Sequence, residues 1–154
     1  MSNDNWATPQ WLFDELNKEF DFLCDVCADT HNHKCAHFFD IKANGLAKSW
    51  TTRNWCNPPY SNQMPWAVRA VMQASQGKQT VMLAMCDTST EFFKYCYAYA
   101  TQIRLLSHRI QFDGAKGSPR FASMLVIFDY PKWTAARAYA DIVLADYRYA
   151  KEKQ

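Results

Sequence analysis

Leu12, Leu16 and Phe20 recur every fourth residue, which lays one apolar stripe along a helix. Thr8 and Pro9 stand before it as N-cap and first helical residue: a hydroxyl can accept from the open N–H groups, and proline has no N–H to leave unpaired. From Phe20 to Val26 the apolar spacing changes from four to two (Phe20, Phe22, Cys24, Val26), predicting a strand that ends near Asp25. The polar run Asp29 to Lys34 predicts a loop or short helix. Phe38-Phe39 predicts a second short strand. Arg53 to Cys56 predicts a third, running straight into Asn57-Pro58-Pro59-Tyr60.

Further along, Asn62 to Ser75 is a helix closed by Gly77, and Gln79 to Cys86 is apolar enough for a strand covered on both faces. Thr88 and Glu91 have the spacing of a capping box, opening a helix that reaches about Ala100. Ile103 to Phe112 and Ser123 to Tyr130 predict two strands, an antiparallel hairpin, around the glycine-bearing loop Asp113 to Arg120. A final helix is expected from about Lys132 to Lys151. Strands alternating with helices predict one α/β domain over residues 1–154 with a largely parallel sheet. No internal repeat, low-complexity tract or linker interrupts it.

Composition narrows the picture. A chain of 154 residues with 49% hydrophobic and 21% charged residues has the make-up of one folded domain. Net charge is only +2, so any nucleic-acid surface must be a local patch. Aromatic residues reach 16%, and aromatic faces are what unstacked bases rest on. There is no apolar run long enough to span a membrane and no signal-like N-terminus, so a soluble, cytoplasmic protein is expected. In that setting the six cysteines are expected to be reduced.

The candidate chemistry lies in Asn57-Pro58-Pro59-Tyr60. Two adjacent prolines cannot continue a ladder or a helix, so they hold a fixed extended turn at the end of a strand. Such a turn can be plain stiffening. It can also hold acceptors for an exocyclic amine, whose nitrogen lone pair is delocalised into the ring and is a poor nucleophile. The Asn57 side-chain oxygen and the Pro58 carbonyl would bind its two N–H groups and favour a tetrahedral nitrogen. Tyr60 would stack on the base, a contact worth about 1–3 kcal/mol.

Context separates these readings. Asn-Pro-Pro-Tyr is the amino-methyltransferase signature, and the chain resembles the phage and prophage DNA N-6-adenine methyltransferase (Dam) family along nearly its whole length. The resemblance rests on WATPQWLFDEL (Trp6 to Leu16), LCDVCAD (Leu23 to Asp29), NGLAKSW (Asn44 to Trp50) and WCNPPYS (Trp55 to Ser61). VMLAMCDTSTEFF (Val81 to Phe93) and HRIQF (His108 to Phe112) support it more weakly. The resemblance implies a Rossmann-like methyltransferase fold, S-adenosylmethionine as donor and adenine in double-stranded DNA as acceptor; a GATC target is suggested by the family name alone.

Carried over position by position, Asn57, Pro58, Pro59 and Tyr60 match the catalytic motif. Asp25 to Ala28 match the donor motif, with Asp25 set to pair with the donor's ammonium. Thr8-Pro9 match the N-terminal element that closes over the same end, with Trp6 beside it as a cover, and Asn44-Gly45-Leu46 match a contact to the donor's adenine. One departure stands out: the turn after the first strand has no glycine. The stretch between Asp25 and Asn57 is also too short for full second and third strand–helix units, which are expected to be abbreviated.

Other constellations carry less. Cys24, Cys27, His31, His33 and Cys35 are dense enough to suggest zinc, but Cys24 and Cys27 fall on or beside a buried strand, the later pair lacks finger spacing, and no metal is expected. Arg109, Lys116 and Arg120 on and beside the Asp113–Arg120 loop are candidate DNA contacts, against a solvated hairpin tip. Trp50, Trp55, Trp66 and Trp133 read as core or rim aromatics, and His108 as structural. Two alternatives stay open: another planar amine as acceptor (cytosine N4, an RNA base, a protein glutamine), or a catalytically silent nucleic-acid-binding or inhibitor module.

Overall fold

Helix α1 (Gln10–Phe20) buries the stripe that the four-residue spacing predicts, with Leu12, Phe13, Leu16 and Phe20 all facing the core. It opens a computed structural model that describes residues 6–114, 121–129 and 139–148. Thr8 is not its cap. Pro9 takes the cap position in extended conformation, and its carbonyl receives the N–H groups of Leu12 and Phe13 at 3.1 and 3.2 Å. The helix stops where Asp21 enters the left-handed region at φ 51°. The strand expected from Phe20 therefore shrinks to β1 (Cys24–Asp25), because Phe20 belongs to the helix.

Six more strands follow among the described residues: β2 (His37–Phe38), β3 (Arg53–Cys56), β4 (Gln79–Met85), β5 (Gln102–Leu106), β6 (Ser123–Phe128) and β7 (Asp141–Ala145). They form one sheet in the order β2-β1-β3-β4-β6-β5-β7. Every neighbouring pair is parallel except those of β6, which runs antiparallel to both β4 and β5. The expected hairpin of the last two predicted strands is present as β5 and β6. Between β1 and β3 the chain makes only β2 and a 3-10 turn, Gly45–Ala47, so the second and third units are abbreviated as the spacing required.

Alternation along the strands divides the core into two layers. Trp55, Val81, Leu83, Leu125 and Ile127 pack toward α1 with Phe13 and Phe22. Cys56, Met82, Ala84, Met124 and Val126 pack on the other face, beneath α2 (Met64–Ala74) and α3 (Glu91–Tyr99). The arrangement is helix–sheet–helix, the three-layer α/β architecture expected of a Rossmann-like methyltransferase fold. No helix among the described residues is long and apolar enough to cross a membrane.

Three local expectations need correction. The cap of α3 is Thr90, whose hydroxyl accepts from the Phe93 N–H at 3.1 Å; Glu91 already lies inside the helix and pairs with Lys94, so no Thr88–Glu91 box forms. Strand β5 ends at Leu106 rather than Phe112, and Ile110 and Phe112 turn inward to join the α1-side core. The helix expected over Lys132–Lys151 is overruled at Asp141–Ala145. That segment pairs in parallel with β5, where an open sheet edge and the β-branched Ile142 and Val143 favour a ladder over a helix. The remainder of that predicted helix, save Tyr139 and Ala140 and the chain from Asp146 to Arg148, lies outside the described residues.

Candidate active site

The chain leaves β1 toward β2 on one side and returns to β3 on the other, so the strand order reverses between β1 and β3. In open parallel sheets this switch point leaves a crevice beyond the carboxyl ends of the strands. Such a cleft is present, with a volume of about 530 Å³. Cys27 and Ala28 line it from the end of β1, Phe39 and Asp40 from β2, and Asn57 and Pro59 from β3, with Trp6 and Trp66 at its sides. That volume suits a nucleoside-sized ligand.

Asn57 is held in one orientation. Its Nδ2 donates to the Trp6 carbonyl at 2.6 Å and to Thr8 Oγ1 at 3.0 Å. A backbone carbonyl can only accept, so the atom facing Trp6 must be the amide nitrogen. What the side chain still offers is its oxygen, an acceptor. The N-terminal segment Trp6 to Thr8 is thus a strap across the end of β3. Its other side pairs with the chain after β5, where the Asp113 N–H donates to the Ala7 carbonyl at 2.9 Å.

Asp25 lies two residues before Cys27 and is 3% exposed. One carboxylate oxygen, Oδ2, accepts from the Lys34 backbone N–H at 2.9 Å, while Oδ1 is buried without a hydrogen bond among the described residues. Burial pushes its carboxyl up to about 6. The backbone N–H groups of Lys34 and Cys27 and the charges of Lys34 and His33 pull the other way, and burial outweighs them. The Cys27 N–H acts only through its field, short of hydrogen-bond geometry. A buried acid with one bare oxygen is a fitting place for a cationic group.

Pro58 and Tyr60 are buried beside the cleft rather than on its wall. The Tyr60 ring meets Phe121 and Phe112 edge-on, at centroid distances of 4.9 and 6.0 Å, and only 8% of the residue is exposed. Burial drives its phenol well above the usual range, and the Ser123 hydroxyl works weakly against this. Among the described residues neither hydroxyl reaches hydrogen-bond geometry with a partner. Trp6 packs edge-on against both Phe112 and Phe121, so its indole stands between the cleft and the aromatic cluster around Tyr60.

Although no glycine follows β1, a glycine packs against the end of that strand. Gly45 packs so closely on the end of β1 that an added Cβ would lie 2.0 Å from the Val26 carbonyl oxygen. Its own carbonyl accepts from Trp50 Nε1 at 2.8 Å, and Trp50 stacks on the cleft-lining Trp66. Only a residue without a Cβ permits so close an approach to the Val26 carbonyl, and Gly45 supplies it on the cleft wall.

The sequence profile of "DNA N-6-adenine-methyltransferase (Dam)" matches residues 1–142. The chain belongs to this family. A DNA N-6-adenine-methyltransferase of Haemophilus phage HP1 is 40% identical over 114 residues, covering 71% of this chain and 66% of that protein. One from Escherichia phage T1 is 29% identical over 103 residues, covering 65% of this chain and 43% of its own length. The chain therefore spans just under two thirds of the first of these relatives and less than half of the second.

Within this Dam-family fold, the residues singled out from sequence are only partly brought together. Trp6, Ala28 and Asn57 share the cleft; Asp25 and Thr8 lie buried behind it, and Pro9 begins α1. Arg109 is exposed on the chain that leaves β5, and Lys116 and Arg120 lie outside the described residues. Sequence reading missed Asp40, Ile41 and Trp66 on the cleft wall. The signal for Asp40 and Ile41 was available, since they directly follow a predicted strand. Trp66 could be found only from the packing of α2. Among the described residues no three His, Cys, Asp or Glu side chains are grouped to hold a metal ion. The thiols of Cys24, Cys27 and Cys35 are pushed up to about 12 by burial, which leaves them protonated and unreactive.

Proposed function

We propose that this Dam-family protein transfers a methyl group from S-adenosylmethionine to the N6 amine of adenine in double-stranded DNA. The observation that carries the reading is the Asn57 amide. It stands at the strand-switch cleft with its nitrogen tied down, and only its oxygen is left to meet an amine.

When bound, S-adenosylmethionine would supply an electrophilic methyl carbon, to which the amine nitrogen would bond as the carbon–sulfur bond breaks and its electron pair leaves with the sulfur of S-adenosylhomocysteine. The protein's own groups do the rest. Asp25, with its bare buried oxygen, takes the donor's ammonium; Ala28 and Trp6 wall the cleft, and Gly45 keeps its far side close. Asn57 Oδ1 and the Pro58 carbonyl accept the two N6 hydrogens, which draws the nitrogen lone pair out of the ring. Tyr60 stacks on the adenine once the base has left the duplex, a step that costs a few kcal/mol. For that, the edge-on partner Phe121 has to yield a face of the ring. One N6 proton is lost to solvent after transfer. Arg109, Lys116 and Arg120 contact the DNA backbone or bases beside the site. The target is a specific short sequence, with GATC as the first candidate, and the reaction takes place in the cytoplasm, a host's if the protein is phage-encoded.

Tritiated methyl transfer onto unmethylated DNA, followed by nucleoside analysis, tests this. Label in N6-methyldeoxyadenosine for the wild type and at least a hundredfold less for Asn57→Ala are the expected results. Label in 4-methylcytosine, in RNA or in protein would redirect the acceptor. No transfer together with no calorimetric affinity for S-adenosylhomocysteine would leave the silent-module reading standing.

A further inference from the structure

We infer that Thr8 acts as a positioning residue for the Asn57 amide. The inference rests on the catalytic reading of Asn57 and extends it to the residue that aims it.

The terminal torsion of asparagine is soft and roughly two-fold, so a lone Asn57 would present N–H or C=O with similar ease. Turned the wrong way it would set N–H against the N–H of the substrate amine, donor against donor. Two acceptors prevent that here: the Trp6 carbonyl at 2.6 Å and Thr8 Oγ1 at 3.0 Å. Thr8 is only 1% exposed, and the cap position of α1, which its hydroxyl would have served, is taken by Pro9. The strap that carries Thr8 is fixed from outside by the Ala7–Asp113 bridge and by the edge contacts of Trp6 with Phe112 and Phe121. The hydroxyl is thus delivered to the amide by the tertiary fold, from the far end of a stretch that ends in the catalytic turn.

The test compares Thr8→Val and Thr8→Ala, which remove the acceptor, with Thr8→Ser, which keeps it. Each is read by single-turnover methylation of DNA, by calorimetric binding of S-adenosylhomocysteine, and by the Asn57 side-chain amide resonances, assigned through their loss in Asn57→Ala. With Thr8→Val and Thr8→Ala the single-turnover rate should fall about tenfold, the effect of one well-placed hydrogen bond. S-adenosylhomocysteine affinity should stay within about twofold, since the loss is in the reacting state and not in binding. One Asn57 amide proton should shift and exchange faster with solvent, and Thr8→Ser should restore both rate and resonance.

Unchanged rate and unchanged Asn57 resonances in Thr8→Val and Thr8→Ala would overturn the inference. So would a rate loss matched by an equal loss of S-adenosylhomocysteine affinity, which would make Thr8 a donor ligand. If Thr8→Val fails to fold, Thr8→Ala and Thr8→Ser carry the same comparison. Full activity in Asn57→Ala would instead bring down the catalytic reading, while the resonance shift would still report whether Thr8 holds the amide.

Discussion

Lys34 donates its backbone N–H to Asp25 Oδ2 at 2.9 Å, and the other oxygen of that buried carboxylate has no hydrogen-bond partner among the described residues. The loop after β1 folds back to supply that single bond. The Lys34 side chain runs on to Gln10 Oε1 at 3.1 Å, with Asp113 and Asp14 as its other acidic neighbours. Half-satisfied buried carboxylates cost stability, and proteins keep them where a ligand completes the set.

Asp25→Asn should therefore stabilise the ligand-free protein at neutral pH while weakening donor binding. Asp25 is raised to about 6, above its ordinary value of 3.8. The folded state thus holds this proton more tightly than the unfolded chain does. The penalty for ionising Asp25 is fully present above about pH 6, shrinks as pH falls toward 4, and is absent below. The shift corresponds to on the order of 3 kcal/mol. Urea denaturation at pH 5 and pH 8 should show this share of the pH dependence in the wild type and not in Asp25→Asn. By the same sign, S-adenosylhomocysteine affinity should weaken as pH falls below about 6 in the wild type only.

Tyr60→Phe should keep most activity, because stacking needs the ring and the phenol makes no hydrogen bond among the described residues. Removing that buried, unpaired hydroxyl should leave stability unchanged or raise it by about 1 kcal/mol. Tyr60→Ala should lose transfer by at least tenfold, in line with about 1–3 kcal/mol of base stacking. Steady-state methylation with thermal unfolding of both variants checks this; equal loss in the two would assign a role to the hydroxyl.

Gly45→Ala should lower both stability and donor affinity. A Cβ at Gly45 would stand 2.0 Å from the Val26 carbonyl oxygen, a backbone atom that cannot swing aside, and 3.2 Å from the Trp66 ring. Displacing this turn costs about 1–3 kcal/mol as overpacking. It also moves the cleft wall that Gly45 and Trp66 share. Denaturation midpoints together with calorimetry read both effects, and wild-type values for both would refute the account.

Glu19→Gln should affect stability alone. Arg104 reaches across from β5 to α1 and forks onto both Glu19 oxygens, at 2.8 and 2.6 Å, while also donating to Tyr147. The Arg104 side-chain bond is the main cause that holds the Glu19 carboxyl below its ordinary value of 4.5. This stabilisation is fully present above pH 4.5 and is lost as pH falls through the lowered value. Since Glu19 is about half exposed, the pair is worth roughly 1 kcal/mol. Acid denaturation should start at higher pH in Glu19→Gln, with methylation at neutral pH unchanged.

The sequence was legible where a local rule decides the outcome. The four-residue stripe of α1, the strand Arg53–Cys56 and the apolar β4 stand where spacing puts them, because burial of one face or of both is written into neighbouring residues. The Asn-Pro-Pro-Tyr turn was legible for the same reason, since its prolines restrict the backbone without help from the rest of the fold. The segment Asp141–Ala145 was misread as helix because its partner, the free edge of β5, exists only once the sheet has formed. The use of Thr8 was misread likewise: a hydroxyl before a helix caps it by default, unless a better acceptor role arrives from far along the chain.

By itself the sequence determined the family, the α/β class and the motif at the end of β3. Tertiary structure alone decided that Asp25 Oδ1 is buried without a hydrogen bond among the described residues, that Gly45 packs against the Val26 carbonyl, and that the Asn57 amide nitrogen is tied to Trp6 and Thr8. Local patterns record what a residue prefers among its chain neighbours. Orientation, burial and pKa depend on groups that only folding brings within hydrogen-bond distance.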